Sequence, residues 1–255
     1  MDKTGLVFGL THNYTGYPMV RQAREMVGAG ELGEIRVIQV EYPQDWLSTK
    51  AEDTGNTQAA WRTDPARSGP AGCVGDIGTH AYNLLRFITG LTVSEIAADL
   101  HTFVAGRQLD DNAHMMLRFA NGAKGMLWSS QVSPGNENAL RIRIYGEKGG
   151  LEWAQESPNL LVHSPLGEPP RQITRGGHGA GRQATAVTRI PSGHPEGYLE
   201  AFAQLYSEIA DLIHSHQQGT RQTSLVPTVD DGVDGVRFIT RSVESSERGG
   251  GWIEF

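Results

Sequence analysis

The chain has 255 residues, and its 22 Lys and Arg against 29 Asp and Glu give a formal net charge of −7. A mildly acidic chain is a poor match for nucleic acid or an anionic membrane, and no apolar run approaches the roughly 18 residues of a membrane span. Its single cysteine, Cys73, excludes an intrachain disulfide and a thiolate zinc centre, and without a signal-peptide pattern the sequence predicts a cytoplasmic globular protein.

The first quarter of the chain predicts a strand, a helix, a second strand and then a long polar segment. Residues 5–12 (GLVFGLTH) are typical of a short buried strand, and Pro18 is well placed to open a helix. The β-branched stretch at 34–43 ends at a proline and predicts a strand. Residues 44–68 are polar, contain two tryptophans and are too long for a simple connection, so we expect a functional or mobile loop.

The rest of the chain predicts a sheet followed by helices. From residue 93 to about 165, consecutive strands follow one another without helices, with an Asn-Gly hairpin turn at 121 and 122. Residues 166–192 are rich in Gly, Pro and Arg and predict a long loop, and two long amphipathic helices close the chain. The predicted class is α+β: an open, mainly antiparallel sheet with the helices at 18, 76, 195 and 228 on one face. The free face is expected to serve self-association, as a dimer or tetramer.

The stretch GPAGCVGDIGTHAYNLLRFITG, at 69–90, carries the most chemistry. Asp76 and His80 are four residues apart at a predicted helix start, so their side chains should share one face. Three interpretations are open: a helix-dipole complement beside a core histidine, a metal site, or the acid–base pair of an enzyme. Glycines crowd the approach and would let the backbone come close to a ligand.

Other candidate sites are weaker on their residue patterns. Asp76, His80 and His194 could form a nitrogen-and-carboxylate set, but no ligand spacing such as H-E-x-x-H occurs, so we predict no metal. The string GGHGAGR at 176–182 lacks, on the sequence pattern, the preceding strand and following helix of a phosphate loop. Cys73 is more typical of a small buried hydrophobe than of a nucleophile.

The segment SGPAGCVGDIGTHAYNLLRFITGL, at 68–91, resembles the G-G-G-x-x-x-D-x-G-x-H segment of the Gfo/Idh/MocA family, and the resemblance extends over essentially the whole chain. Members of that family are two-domain NAD(P)-dependent oxidoreductases that act on sugars, cyclitols and related polyols. The resemblance implies that residues 18–255 form the substrate-binding and oligomerisation domain, with a fold like the C-terminal domain of glyceraldehyde-3-phosphate dehydrogenase. Residues 1–17 would be a remnant of the last Rossmann strand and the crossover.

The resemblance also implies site residues. His80 would be the base that takes the hydroxyl proton, with an ordinary pKa near 6.5, and Asp76 would bind the substrate and tune the histidine. Trp61, Arg62 and His194 are further candidates for substrate contacts, placed by their loops. NAD or NADP is the cofactor of full-length relatives. Because the cofactor loop, the ribose-binding acid and the catalytic lysine do not occur in this sequence, no dinucleotide is expected to bind this chain.

The absent Rossmann domain would reflect a natural truncation, a misassigned start or a separate partner chain. The leading hypothesis is the substrate domain of a sugar or polyol dehydrogenase, inactive alone. The alternatives are a non-catalytic binding or scaffold protein that retains the fold, and a metal-dependent hydrolase. The sequence does not name the sugar, choose between NAD and NADP or give the reaction direction.

Overall fold

A nine-stranded sheet organises residues 4–255, which are the residues that this computed structural model describes. The strands are β1 (Ile35–Pro43), β2 (Val93–His101), β3 (Asn112–Phe119), β4 (Lys124–Ser130), β5 (Arg141–Gly146), β6 (Gly149–Ala154), β7 (Leu160–Pro165), β8 (Arg171–Thr174) and β9 (Ile253–Glu254). Their order across the sheet is β8-β7-β6-β5-β1-β4-β3-β2-β9. All neighbours are antiparallel except β1 and β4 at the centre, which are parallel. The predicted α+β class and mainly antiparallel sheet are confirmed.

The two faces of the sheet differ because side chains alternate along each strand. Val40 of β1 lies opposite Leu127 of β4 and Ile142 of β5, and all three are buried. Val37 points to the other face and is 41% exposed, and Tyr145, which lies beside it on β5, is 43% exposed. One face of the sheet therefore holds the core and the other faces solvent.

The helices are α1 (Pro18–Gly28), α2 (Thr57–Arg62), α3 (Pro65–Ser68), α4 (Thr79–Thr89), α5 (Arg182–Val187), α6 (Tyr198–Gln217) and α7 (Val229–Glu247). The sheet is contacted by α1 at β6 and β7, by α4 at β1 and β4, and by α7 at β2. Helix α6 packs mainly against the 3₁₀ turn Asn13–Gly16, and its Ala201 is buried in the same core. A Cβ on Gly16 would lie 2.4 Å from the carbonyl oxygen of Ala201, so glycine allows this close approach. None of the helices in residues 4–255 is both long and apolar enough to cross a membrane.

Several predicted boundaries are confirmed by local chemistry. Helix α1 begins at Pro18, whose missing N–H costs nothing in the first turn, and α4 is followed directly by Gly90, whose φ of 67° is left-handed. At the start of α7, Asp231 accepts a hydrogen bond of 2.6 Å from the backbone N–H of Thr228, as the capping-box pattern predicts. The Asn-Gly turn joins β3 to β4, with Gly122 at a φ of 91°.

The strand predicted at residues 5–12 is wrong. These residues are irregular in the structure, and Leu6 is 67% exposed. Both neighbours of β1 are taken by β4 and β5, so this segment has no place beside the central strand. Residues 1–3 of the predicted Rossmann remnant lie outside the described residues, and the boundary between 17 and 18 stays a prediction.

The two segments predicted as long loops contain short regular elements. Residues 44–68 hold the 3₁₀ turn Ala51–Thr54 together with α2 and α3. Residues 166–192 hold β8 and α5, which the sequence analysis missed. Both elements are too short and too polar to produce an apolar period, since β8 is a mostly exposed edge strand of four residues.

Candidate functional site

The glycine-rich approach to the helix is anchored on one buried carboxylate. Asp110 accepts hydrogen bonds from the backbone N–H of Gly72 (2.6 Å), the N–H of Val74 (2.9 Å) and the thiol of Cys73 (3.1 Å). A Cβ on Gly72 would lie 2.1 Å from the carbonyl oxygen of Asp110, so glycine is needed for this contact. Burial raises the pKa of the Cys73 thiol well above its usual value, which fits a packing residue and not a nucleophile.

The sequence predicted that Asp76 lies on the regular first turn of a helix, and this is wrong. Asp76 belongs to the π-helical turn Val74–Gly78, and His80 is the second residue of α4, which follows directly. Single π turns inside helices occur often at functional sites. One carboxylate oxygen of Asp76 accepts hydrogen bonds from Arg62 Nε (2.9 Å) and from Gln131 Nε2 (2.8 Å). These two donors orient the carboxylate, and the guanidinium of Arg62 balances its charge.

Arg62 is held in place by the polar segment that precedes the glycine-rich stretch. It ends α2, and its Nη1 donates to Gln58 Oε1 at 2.7 Å. Its guanidinium lies over the ring of Trp61, 4.3 Å from the centroid, and 5.8 Å from the centroid of the Trp46 ring in the turn that follows β1. Trp61 therefore supports Arg62 from behind, whereas Trp46 and Arg62 themselves line the cleft beside Asp76.

His80 is paired with a second histidine that the sequence analysis did not single out. The Nδ1 atoms of His80 and His12 are 3.1 Å apart, and the edge of the Tyr14 ring meets His80 with centroids 5.4 Å apart. Burial lowers the pKa of His80 below its usual value, although the charge of Asp76 acts in the opposite direction. Burial and the nearby His80 lower the pKa of His12 to about 3. The expectation of an ordinary pKa for His80 is wrong because the ring is largely desolvated.

A chain of neutral hydrogen-bonding side chains forms the opposite wall. The hydroxyls of Tyr14 and Tyr42 share a short hydrogen bond, and Tyr42 donates to Asn138 Oδ1 at 2.8 Å. The same oxygen accepts from Gln44 Nε2 at 2.7 Å, and Gln44 Oε1 accepts from Trp46 Nε1 at 3.0 Å. Burial raises the pKa of both tyrosines, so their hydroxyls stay protonated near neutral pH.

These groups surround an open cavity of 610 Å³, which is large enough for a small organic molecule. Its apolar wall comes from Leu10, Ile77 and Phe202. The one carboxylate and the one guanidinium of the lining form an ion pair, and the two histidines are neutral near pH 7 because burial lowers the pKa of each. The cavity therefore offers hydrogen bonds and a neutral base without a free net charge.

His194 is not part of this lining. Its side chain is exposed, and its carbonyl oxygen accepts a hydrogen bond from the guanidinium of Arg175. Arg175 is buried, forms an ion pair of 3.1 Å with Glu196 and also binds the carbonyl oxygen of Ile190. This buried pair fixes the loop at 191–197 (PSGHPEG) through its backbone, so His194 does not line the cleft of Asp76 and His80, and its predicted place among the substrate contacts is wrong.

The glycine string at 176–182 is the segment most similar to a loop that binds the pyrophosphate of a dinucleotide. The flanking strand and helix that the sequence analysis judged absent do exist, as β8 and α5. However, the first N–H groups of α5 already point at the Glu25 carboxylate, with Gln183 N donating at 2.8 Å and Arg182 N at 3.2 Å. A carboxylate occupies the position that a phosphate would need, so these residues do not fit the group. Among residues 4–255, no group of three or more His, Cys, Asp or Glu is placed to hold a metal ion.

The site residues missed by the sequence analysis share a topological origin. Tyr42 lies at the carboxyl end of β1 and Gln44 directly after it, and Gln131 directly follows β4. Because β1 and β4 are parallel, both carboxyl ends open at the same edge of the sheet, where ligands of such strand pairs commonly bind. The polar run THNY at 11–14, which ends four residues before the proline of α1, was the available sequence signal for His12.

One family model and several known proteins match this chain. The sequence model described as the GFO/IDH/MocA C-terminal domain matches residues 20–152. The uncharacterized oxidoreductase YfiI of Bacillus subtilis is 34% identical over 259 residues, which is 100% of this chain and 66% of YfiI. The chain thus spans slightly less than two thirds of that relative's length.

Solved structures show the same relationship. An oxidoreductase from Sinorhizobium meliloti is 53% identical, with a TM-score of 0.86 over 99% of this chain and 66% of its own. An inositol dehydrogenase homologue from Azotobacter vinelandii, complexed with NAD+, is 34% identical, with a TM-score of 0.93 over 98% of this chain and 66% of its own. A second structure of the Azotobacter homologue contains NADH and myo-inositol.

Proposed function

The chain belongs to the GFO/IDH/MocA family, and on that premise we propose that its cleft is the substrate-binding site of a dehydrogenase that oxidises sugars or polyols. The observation that carries this proposal is the convergence of His80, which burial keeps neutral, with the charge-balanced pair of Asp76 and Arg62 in one open cavity. That combination offers a base and an oriented carboxylate in a pocket lined by uncharged hydrogen-bonding groups.

Oxidation of a secondary alcohol needs a base for the hydroxyl proton and a separate acceptor for the hydride. In this proposal His80 takes the proton, and its lowered pKa keeps it in the neutral form that can do so. The negative charge of Asp76 raises the pKa of His80 and so stabilises the imidazolium as it forms. The carboxylate, held by Arg62 and Gln131, also accepts a hydrogen bond from a substrate hydroxyl.

The substrate class we propose is an uncharged polyhydroxylated molecule. An acidic sugar would need a free cation, but Arg62 is already paired with Asp76 at 2.9 Å. Asn138, Gln44 and Tyr42 supply neutral donors and acceptors of the kind that bind hydroxyl groups. The myo-inositol of the Azotobacter structure is a molecule of this class.

We propose that residues outside these 255 hold the hydride acceptor, an NAD(P) dinucleotide. The isolated chain should then neither bind NAD or NADP tightly nor transfer hydride, because Glu25 occupies the helix start at the glycine string. Calorimetric titration with both dinucleotides tests this, together with absorbance of reduced nicotinamide across a panel of polyols. Micromolar binding, or turnover that His80→Ala abolishes, would contradict it.

Substrate binding is testable separately by thermal unfolding. A ligand that binds only the native state at about 100 times its Kd stabilises it by about 2.7 kcal/mol. Neutral polyols should raise the midpoint, whereas the corresponding acidic sugars should not. Asp76→Asn and His80→Asn should abolish the increase, and His178→Asn, in the exposed glycine string, is the matched control that should keep it. If polyols raised the unfolding midpoint equally in all three variants, the binding site would lie outside this cleft.

We also propose that the free face of the sheet mediates self-association. Met116 of β3 and Met126 of β4 lie opposite each other on that face and are 52% and 54% exposed, close to Val37 and Tyr145 on the adjoining strands. Four large apolar side chains in one solvent-facing patch favour burial against a second copy of the chain.

A further inference from the structure

We propose that His12 is a positioning residue for His80, an inference that rests on the proposed function of His80 as the base. The Nδ1 of His12 accepts a hydrogen bond from the Nδ1–H of His80. This bond fixes His80 in the tautomer whose Nε2 lone pair is free to take the substrate proton.

The geometry leaves one proton between the two rings. The Nδ1 atoms are 3.1 Å apart, and the rings meet edge to face, with centroids 4.9 Å apart at 89°. A neutral imidazole carries its proton on one nitrogen and accepts with the other, so a bond between two Nδ1 atoms needs one donor and one acceptor. Both histidines line the same cavity, so the choice decides what His80 presents there.

The proposed role of His80 makes it the donor, because a base at Nε2 needs that nitrogen unprotonated and the one proton of the neutral ring then lies on Nδ1, which faces His12. The charge of Asp76 favours the protonated form of His80, so it stabilises the imidazolium that forms when Nε2 takes the substrate proton. The other polar groups close to the pair are already engaged, because Arg62 binds Asp76 and the Tyr14 hydroxyl binds Tyr42.

His12 is also held rigidly enough to act as a fixed acceptor. Its backbone N–H donates to the carbonyl oxygen of Leu10 at 3.0 Å. Its carbonyl oxygen accepts from both the N–H (3.1 Å) and the hydroxyl (2.9 Å) of Thr15. A hydrogen bond to a fixed neighbour is how the tautomer of a functional histidine is commonly set. When His80 takes the proton at Nε2, the same bond becomes charge-assisted and stabilises the imidazolium.

The test reads the tautomer directly, without substrate, so it is independent of whether the proposed reaction is correct. Long-range proton–nitrogen NMR spectra of histidine-labelled protein at about pH 7.5 distinguish a protonated ring nitrogen from an unprotonated one. The His80 signals are identified by their loss in His80→Asn. The expected result for the unaltered chain is a protonated Nδ1 and an unprotonated Nε2 in His80. The opposite tautomer, with Nε2 protonated, would overturn the proposal.

Two variants of His12 separate positioning from packing. His12→Phe keeps a ring but removes the acceptor, and His12→Asn places an amide oxygen where Nδ1 was. His12→Phe should shift His80 toward the Nε2-protonated tautomer and lower the pKa of His80 by about one unit or more, because a charge-assisted hydrogen bond is lost. His12→Asn should restore both values. An unchanged His80 tautomer and pKa in His12→Phe would show that His12 only fills space.

Discussion

Replacing Gly72 with alanine tests the structural basis of the site most sharply. In Gly72→Ala the new Cβ would lie 2.1 Å from the carbonyl oxygen of Asp110, whereas ordinary contacts begin near 3.4 Å. The two backbone segments must therefore separate by about 1 Å, which stretches the 2.6 Å hydrogen bond from Gly72 N to the Asp110 carboxylate. Overpacking together with the weakening of a charge-assisted hydrogen bond should cost about 2–4 kcal/mol of the free energy of unfolding.

Gly75→Ala, three residues further along in the π turn, is the matched control. There the new Cβ meets only the Cβ of Ala71, at an ordinary 3.8 Å, so the substitution should be neutral or stabilise by about 0.5–1 kcal/mol through helix propensity. Urea unfolding at one fixed protein concentration, followed by circular dichroism, gives both values if the slopes agree. Destabilisation of Gly72→Ala that stays within about 0.5 kcal/mol of Gly75→Ala would refute the role assigned to Asp110.

Three further predictions concern other parts of the molecule. Arg107→Met should lower the free energy of unfolding in urea by about 3–5 kcal/mol, because the buried carboxylate of Asp111, which lies 3.1 Å from Arg107, loses its cation. Arg36→Met, which removes one partner of an exposed ion pair, should lower it by under about 1 kcal/mol, and equal costs of the two variants would contradict this. Burial lowers the pKa of His12 to about 3, so below about pH 6.5 the unfolded state binds more protons than the folded state. The free energy of unfolding should therefore fall from about pH 6.5 to about pH 5, and it should fall less in His12→Asn. A flat pH profile would contradict this. Met126→Lys should convert the self-associated form to a monomer by light scattering without loss of thermal stability, and an unaltered mass would count against the sheet-face interface.

Local features of the fold were predictable because they depend on neighbouring residues alone. The opening of α1 at Pro18, the Asn-Gly hairpin and the capping box at Thr228 each follow from chemistry within a few positions. The proximity of Asp76 and His80 was predictable for the same reason, although the π turn between them was not. Short polar elements such as β8 have no apolar period and escaped prediction.

The remaining site residues depend on contacts between distant parts of the chain. The parallel pairing of β1 with β4 brings Tyr42 and Gln131 to one edge of the sheet, and no local pattern indicates that pairing. His12 meets His80 across 68 positions, and their mutual burial lowers both pKa values, which a sequence pattern does not reveal. His194 was misplaced because its loop is fixed by a buried ion pair behind it, between Arg175 and Glu196.

The most direct test of the proposed polyol site is an NMR titration that follows the indole N–H signals. Trp46 lines the cleft and donates to Gln44 at 3.0 Å, whereas Trp252 packs against Arg118, away from the cleft. Titration with myo-inositol should shift the Trp46 signal saturably, leave the Trp252 signal unchanged and have no effect on Trp46 in His80→Asn. A Trp46 signal that does not move, or that moves equally in His80→Asn, would contradict the assignment of this cleft as the substrate site.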